Sequence, residues 1–131
     1  MKITRQNIIK WLSLGIILMG IVHEIATFTP LIADKLALLS DGTQDAFRYF
    51  SIMCGALLIL GGGIIFLLVD KIAEYDFVRK PYMLTLFVVS VAGILAICYM
   101  RHNPFAWIIY ALTMLLLFVN VMRKRNKKLW K

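Results

Sequence analysis

AFRYFSIMCGALLILGGGIIFLLV, residues 46–69, is an apolar run that contains one charged side chain, Arg48. A helix needs about 20 apolar residues to cross the hydrocarbon core of a bilayer. The run is long enough to do so, and it lacks the alternation of polar and apolar residues that is typical of barrel strands. We interpret it as a transmembrane helix. The other apolar runs of the chain are therefore interpreted with lipid as their surroundings.

The whole chain has the composition of a membrane protein. Of its 131 residues, 61% are hydrophobic and 17% are charged, whereas a soluble domain is about half apolar and about a quarter charged. Three further runs are long enough to span a membrane, at about 8–28, 82–100 and 105–122. The sequence predicts an all-α integral membrane protein, an antiparallel bundle of four transmembrane helices that forms a single domain over residues 1–131.

The basic residues predict the orientation of this bundle, because Lys and Arg accumulate in cytoplasmic loops. Twelve of the fifteen precede the first span, separate the second from the third, or lie in the tail 123–131, and those three groups share one side. Only Lys35, Arg48 and Arg101 lie on the other. We therefore predict a protein of the plasma membrane, of the bacterial inner-membrane type, with both termini cytoplasmic. The basic tail is expected to touch anionic lipid, and no nucleic-acid partner is predicted.

The connection between the first two spans is long enough to hold its own structure. Ile32, Leu36 and Leu39 recur there at helical spacing, which predicts a short helix in the outer interface. Asp41-Gly42 is then expected to turn the chain into the second span. The sequence does not distinguish whether segment 31–40 caps the bundle or lies on lipid.

Helix starts and helix contacts can also be predicted. Pro81 and Pro104 suit the first turns of the third and fourth helices, and Cys54 and Cys98 are expected to be small buried hydrophobic residues. Small side chains let membrane helices approach closely. The residues predicted to mark such contacts are Gly15, Gly20, Ser51, Gly55, Gly62, Ala92 and Ala96.

Polar residues of the spans gather near the non-cytoplasmic side, whereas the inner half holds none that titrates. This predicts a polar cluster in the outer leaflet that is either structural or ligand-binding. Its predicted members are His23, Glu24, Arg48, Tyr49, Tyr99, Arg101, His102, Asn103 and Trp107.

Two interpretations of this polar cluster stay open. A carboxylate in lipid needs a partner or a proton, so Glu24 is expected to form an ion pair with Arg48 or Arg101 that fixes the register of the helices. Alternatively, the cluster lines an outward-facing cavity, where arginines bind an anionic or polar head group and His23 or Glu24 titrates.

No catalytic residue, metal site or cofactor is predicted. Haem ligation by His23 and His102 would need both at equal depth, and zinc ligation by these two with Glu24 lacks a helical pair of ligands four residues apart. No Gly-rich phosphate loop, nucleophile elbow or pair of hydrolytic carboxylates occurs.

The favoured function is therefore the binding of a lipid, an amphipathic ligand or a membrane partner, including a second copy of the chain. The helix count and the glutamate in the first helix resemble the small multidrug resistance transporters, in which such a carboxylate exchanges protons for a cationic drug. Here Glu24 lies toward one face of the membrane, near arginines that would repel a cation, so no family is assigned. Proton-coupled transport through Glu24 remains an alternative. A second is an enzyme acting on a lipid-embedded substrate, with His23 and Glu24 as acid and base.

Overall fold

The structure is a computed structural model that describes residues 4–128, with the side chains of 4–30, 32–72 and 74–121. Within this range the chain forms helices and no strands. In chain order these are α1 (Arg5–Thr27), α2 (Pro30–Leu36), α3 (Asp41–Leu68), a single 3-10 turn (Lys71–Ala73), α4 (Asp76–Met100) and α5 (Pro104–Lys128).

Four of these helices, α1, α3, α4 and α5, are long and apolar enough to cross a membrane. Each overlaps one of the four spans predicted from sequence, so the prediction of an all-helical chain with four apolar helices is confirmed. The described part of α5 that meets this criterion is Pro104–Val121. The helix itself continues to Lys128, into the predicted basic tail, and residues 129–131 of that tail lie outside the described residues.

The distribution of polar and apolar side chains is consistent with membrane insertion. Large apolar side chains such as Trp11 and Phe87 are exposed, whereas Ser13, Ser90 and Thr113 are buried between helices. The hydroxyls of Ser13 and Ser90 donate to carbonyl oxygens four residues earlier, at 2.8 and 2.7 Å. Buried hydroxyls satisfied by their own helix and surrounded by an apolar exterior are typical of helices that pack in lipid.

Each long helix packs against two others. Helix α1 contacts α3 and α5, and α4 contacts the same two helices. The buried core between them includes Ile16, Ile65, Tyr82, Leu86 and Leu116. We call the half of the helices nearest α2 and the α4–α5 turn the outer half, and the half nearest the 3-10 turn the inner half.

The start of α3 corrects one prediction. Asp41 and Gly42 do not form a turn before the helix but belong to its first turn. Ser40 precedes them with an extended backbone, and its Oγ lies 2.8 Å from Oγ1 of Thr43. The negative charge of Asp41 is favourable at the positive end of the helix dipole, so the helix begins earlier than the apolar run does.

The start of α4 corrects a second prediction, whereas Pro104 begins α5 as predicted. Pro81 lies inside α4, because the helix already begins at Asp76. A proline at this depth removes one hydrogen bond of the helix. Its carbonyl oxygen accepts a hydrogen bond of 2.8 Å from Oγ1 of Thr85. An acidic residue in the first turn favours the earlier start.

The outer connection contains the predicted short helix, although α2 ends at Leu36. Leu36 is buried, with 3% of its surface exposed, and α2 packs against α1. Leu38 is 86% exposed, and Leu39 is exposed as well. The segment therefore buries one leucine of the predicted stripe in the protein and leaves the next turn outside it.

The two cysteines are exposed, which contradicts the prediction that they are buried. Cys54 lies on α3 and Cys98 on α4, both in apolar stretches. On a helix in lipid, a small apolar side chain is suited equally to the lipid-facing side and to a contact with another helix, because lipid and the protein interior are similarly apolar. Hydrophobicity alone therefore does not assign such residues to a face.

Candidate functional site

Glycines bring α1 close to α3 and so set the position of the site. A β-carbon on Gly62 would lie 2.9 Å from the carbonyl oxygen of Ser13, and one on Gly55 would meet the side chain of Glu24. Gly20 also belongs to this contact, whereas Gly15 faces Leu112 of α5. Four predicted packing residues thus lie at close approaches between helices.

A chain of hydrogen bonds links α1 to α3 in the outer half. Nε2 of His23 lies 3.1 Å from Oγ of Ser51, and this oxygen lies 2.6 Å from Oγ1 of Thr27. The hydroxyl of Thr27 donates to the carbonyl oxygen of His23 at 2.9 Å. On its other side the imidazole packs against Phe105 of α5, with ring centroids 5.2 Å apart. His23 is therefore held by α1, α3 and α5 together.

Glu24 lies against Gly55 and forms none of the predicted ion pairs. Within the described residues, Lys10 and Asp70 form the one ion pair, in the inner half, so the Glu24 carboxylate is more than 4.0 Å from Arg48 and Arg101. The prediction of a Glu24–arginine pair is corrected. The physical reason is depth, because Arg48 lies two turns of α3, about 10 Å, from the glycine that Glu24 contacts.

The four predicted site residues at the α4–α5 turn stabilise that turn. Oδ1 of Asn103 accepts a hydrogen bond of 3.0 Å from the backbone N–H of Phe105, as an N-cap does. Nε1 of Trp107 donates to the carbonyl oxygen of Arg101 at 2.8 Å. Nε of Arg101 donates to Nε2 of His102 at 3.2 Å. These residues, all partly or fully exposed, make contacts that fix the turn.

The remaining predicted site residues lie at the outer rim of the helices. Arg48 and Tyr49 are exposed in α3, where Tyr49 packs edge-on against Phe50 with centroids 5.7 Å apart. Tyr99 of α4 is 85% exposed. The structure thus brings His23 and Glu24 into contact with α3 and leaves the two arginines outside that contact.

An apolar cleft of about 330 Å³ lies between α3 and α4 in the outer half, with α5 behind it. Among the residues that the structure describes, His23, Cys54 and Tyr99 line the cleft with polar side-chain atoms, and no charged residue lines it. Ala92 and Ala96, predicted as packing residues, are also part of its wall.

The cleft exists because α3 and α4 approach each other more closely at the middle of the helices than in the outer half. A β-carbon on Gly61 would lie 2.6 Å from Cγ2 of Val89, so the backbone of α3 meets α4 there. One turn further out, the cleft is lined by Leu57 of α3 and by the small side chains of Ala92 and Ala96 of α4. These alanines leave space that larger residues would fill.

The sequence does not reveal the contacts that hold His23. Ser51 was predicted only as a packing residue, and Thr27 and Phe105 were not singled out. The spacing of four residues between His23 and Thr27 places both on one face of α1, and this signal was available. The match of Ser51 to the same depth depends on the register of α1 against α3.

The inner half holds a second buried polar contact that the sequence did not predict. Oη of Tyr82 donates to Oδ1 of Asn120 at 2.6 Å, and Nδ2 of Asn120 donates to the carbonyl oxygen of Leu116 at 2.8 Å. This contact joins α4 to α5.

In the described part of the chain, no three His, Cys, Asp or Glu residues are grouped so that they could hold a metal ion.

The fold and the site define an all-helical protein with four helices able to cross a membrane and an apolar cleft between two of them. Comparison of the chain with models of protein families, with curated proteins and with solved structures found no match.

Proposed function

We propose that this protein is an antiparallel four-helix membrane bundle that binds a lipid-like, single-chain amphipathic ligand in the cleft between α3 and α4. The termini are cytoplasmic, and the cleft lies in the non-cytoplasmic leaflet. The observation that carries the proposal is the cleft itself, which is apolar, is bordered by His23 and has no charged side chain among its described lining residues. The distribution of basic residues supports the orientation.

The volume of the cleft supports a ligand with one hydrocarbon chain. Pockets for small molecules span about 300–1,000 Å³, and a volume of about 330 Å³ lies at the small end of this range. Such a volume suits one acyl chain or a small ring system better than the two chains of a phospholipid.

The arrangement of the lining supports one orientation of that ligand. Leu57 and Val88 line the part of the cleft nearest the middle of the helices, whereas His23 and Tyr99 line the outer part. An amphipathic molecule would place its chain toward the bilayer centre and its polar group near the imidazole. The side chains of Leu57, Val88 and Leu95 are also exposed on the surface of the protein. This exposure supports entry of the ligand sideways from the lipid.

Binding of a probe with matched variants tests this function. Native mass spectrometry of the detergent-purified protein, incubated with myristyl alcohol or its methyl ether, measures the bound fraction. Ala92→Phe places a ring in the cleft, and Ala111→Phe makes the same change on an exposed position of α5 that does not line it. We expect binding by the wild type and by Ala111→Phe and its loss in Ala92→Phe. Absence of binding to the wild type, or equal binding by both variants, would overturn the proposal, provided the variants have similar melting temperatures.

The alternatives of transport and catalysis are less well supported by the contacts of the site. Glu24 packs on Gly55 in the α1–α3 contact, whereas His23 lines the cleft, so the two side chains do not face a common substrate. Proton-coupled flux in liposomes that is abolished by Glu24→Gln would favour the transporter over the binding protein.

A further inference from the structure

The hydrogen-bond chain of the site assigns the protons of its three side chains. The hydroxyl of Thr27 has one proton and donates it to the carbonyl oxygen of His23, so in the contact with Ser51 it accepts. The single proton of Ser51 is thereby used, and Oγ of Ser51 must accept from Nε2 of His23. The order of donation is therefore His23 Nε2–H to Ser51, Ser51 to Thr27, and Thr27 to the backbone of His23.

This order fixes the tautomer of the neutral imidazole. With the proton on Nε2, Nδ1 carries a lone pair and is an acceptor. Among the described residues, every buried side-chain nitrogen and oxygen has a hydrogen-bond partner. Nδ1 of His23 takes part in none of the hydrogen bonds found there, so this atom is accessible, and His23 lines the cleft.

We infer that the ligand of the cleft is a neutral single-chain amphiphile whose polar group carries a hydroxyl, and that this hydroxyl donates to Nδ1 of His23. The inference rests on the proposed function, because it specifies the ligand of the same cleft. Charge complementarity supports a neutral ligand, since no Asp, Glu, Lys or Arg of the described residues lines the cleft to balance a charge. The position of the proton supports a donor, because an ether or ester oxygen would meet a lone pair at Nδ1.

Selectivity between two matched probes tests the inference. Myristyl alcohol can donate a hydrogen bond, and its methyl ether can only accept one. We expect the wild type to bind the alcohol about three- to tenfold more tightly than the ether, as the net effect of one neutral hydrogen bond. Equal affinities for the two probes would overturn the inference and leave the proposed function intact, whereas absence of binding of either probe would overturn the proposed function.

A change at Thr27 tests the direction of the hydrogen bonds. In Thr27→Val, Ser51 loses its acceptor, so its hydroxyl becomes free to donate to Nε2 of His23, and the imidazole is then free to carry its proton on Nδ1. We expect this variant to bind the alcohol and the ether with about equal affinity. Thr85→Val is the matched control, because the Thr85 hydroxyl donates to a carbonyl oxygen of its own helix away from the site. An unchanged preference in Thr27→Val would show that the Thr27 hydroxyl does not fix the imidazole proton and would overturn this step of the inference.

Nitrogen chemical shifts provide a readout that does not depend on affinity. The chain has two histidines, so His102→Gln leaves His23 as the single source of signals in protein labelled at histidine nitrogen. We expect an Nε2-protonated ring whose Nδ1 signal shifts when myristyl alcohol binds and stays constant when the ether binds. A ring protonated at Nδ1, or equal shifts with both probes, would overturn the inference.

Discussion

The backbone of Gly20 in α1 lies so close to that of Gly55 in α3 that a β-carbon on Gly20 would lie 2.8 Å from the carbonyl oxygen of Gly55. One turn further out, the hydrogen-bond chain of His23 connects the same two helices. The close approach of the backbones thus brings a small imidazole within reach of Ser51 at 3.1 Å. Helix contact and site geometry depend on the same register.

Two adjacent glycines of α3 are expected to respond in opposite ways to alanine. A β-carbon on Gly62 would meet the backbone oxygen of Ser13 at 2.9 Å, whereas one on Gly63 would meet no atom of the described residues within 4 Å. Gly62→Ala should lower the free energy of unfolding by about 1–3 kcal/mol through overpacking. Gly63→Ala should be neutral or stabilise by up to about 1 kcal/mol, since alanine is the better helix former. Thermal denaturation in one detergent measures both, and similar melting temperatures would contradict the α1–α3 contact.

Glu24 is expected to act independently of the two outer arginines. Because its carboxylate lies more than 4.0 Å from both guanidinium groups, Glu24→Gln combined with Arg48→Gln or Arg101→Gln should give additive changes in stability. The coupling free energy of each double-mutant cycle should stay below about 0.5 kcal/mol. A coupling above about 1 kcal/mol would restore the ion pair that the sequence predicted.

The buried contact between Tyr82 and Asn120 is expected to stabilise the inner half. Tyr82→Phe keeps the ring but deprives Oδ1 of Asn120 of its donor, which should lower the free energy of unfolding by about 0.5–1.5 kcal/mol. Tyr110→Phe is the matched control, because the Tyr110 hydroxyl forms no hydrogen bond within the described residues. Equal melting temperatures of the two variants would show that the contact adds nothing to stability.

The proposed orientation predicts which loops are accessible from each side. In a chain with Cys54→Ala and Cys98→Ala, Ser40→Cys should react with a membrane-impermeant maleimide added to intact cells. Glu74→Cys, near the 3-10 turn, should react only after the cells are opened. Both positions are exposed on the protein, so burial does not confound the comparison. The reverse pattern would place the termini outside the cytoplasm and overturn the positive-inside assignment.

The residues of the site differ in how well the sequence predicts them. His23 was identified because a titratable side chain in an apolar run is rare, and Gly20, Gly55 and Gly62 because small residues mark close approaches. Ser51 was identified for its size and not for its hydroxyl. The partner of a hydroxyl depends on the register of two helices, and no local pattern records that register.

The residues alone are enough to predict that the chain is helical and that four of its helices are long and apolar enough to cross a membrane. Length and hydrophobicity set these properties, because an unpaired backbone in lipid is too costly for any irregular structure. The packing of the helices, in contrast, sets the contact of Glu24 with Gly55 instead of an arginine and the hydrogen bond of His23 with Ser51 beside an apolar cleft. Contacts between helices depend on how each helix is rotated about its axis and how far it is shifted along it. Helix faces of similar apolarity do not record this placement in their local sequence.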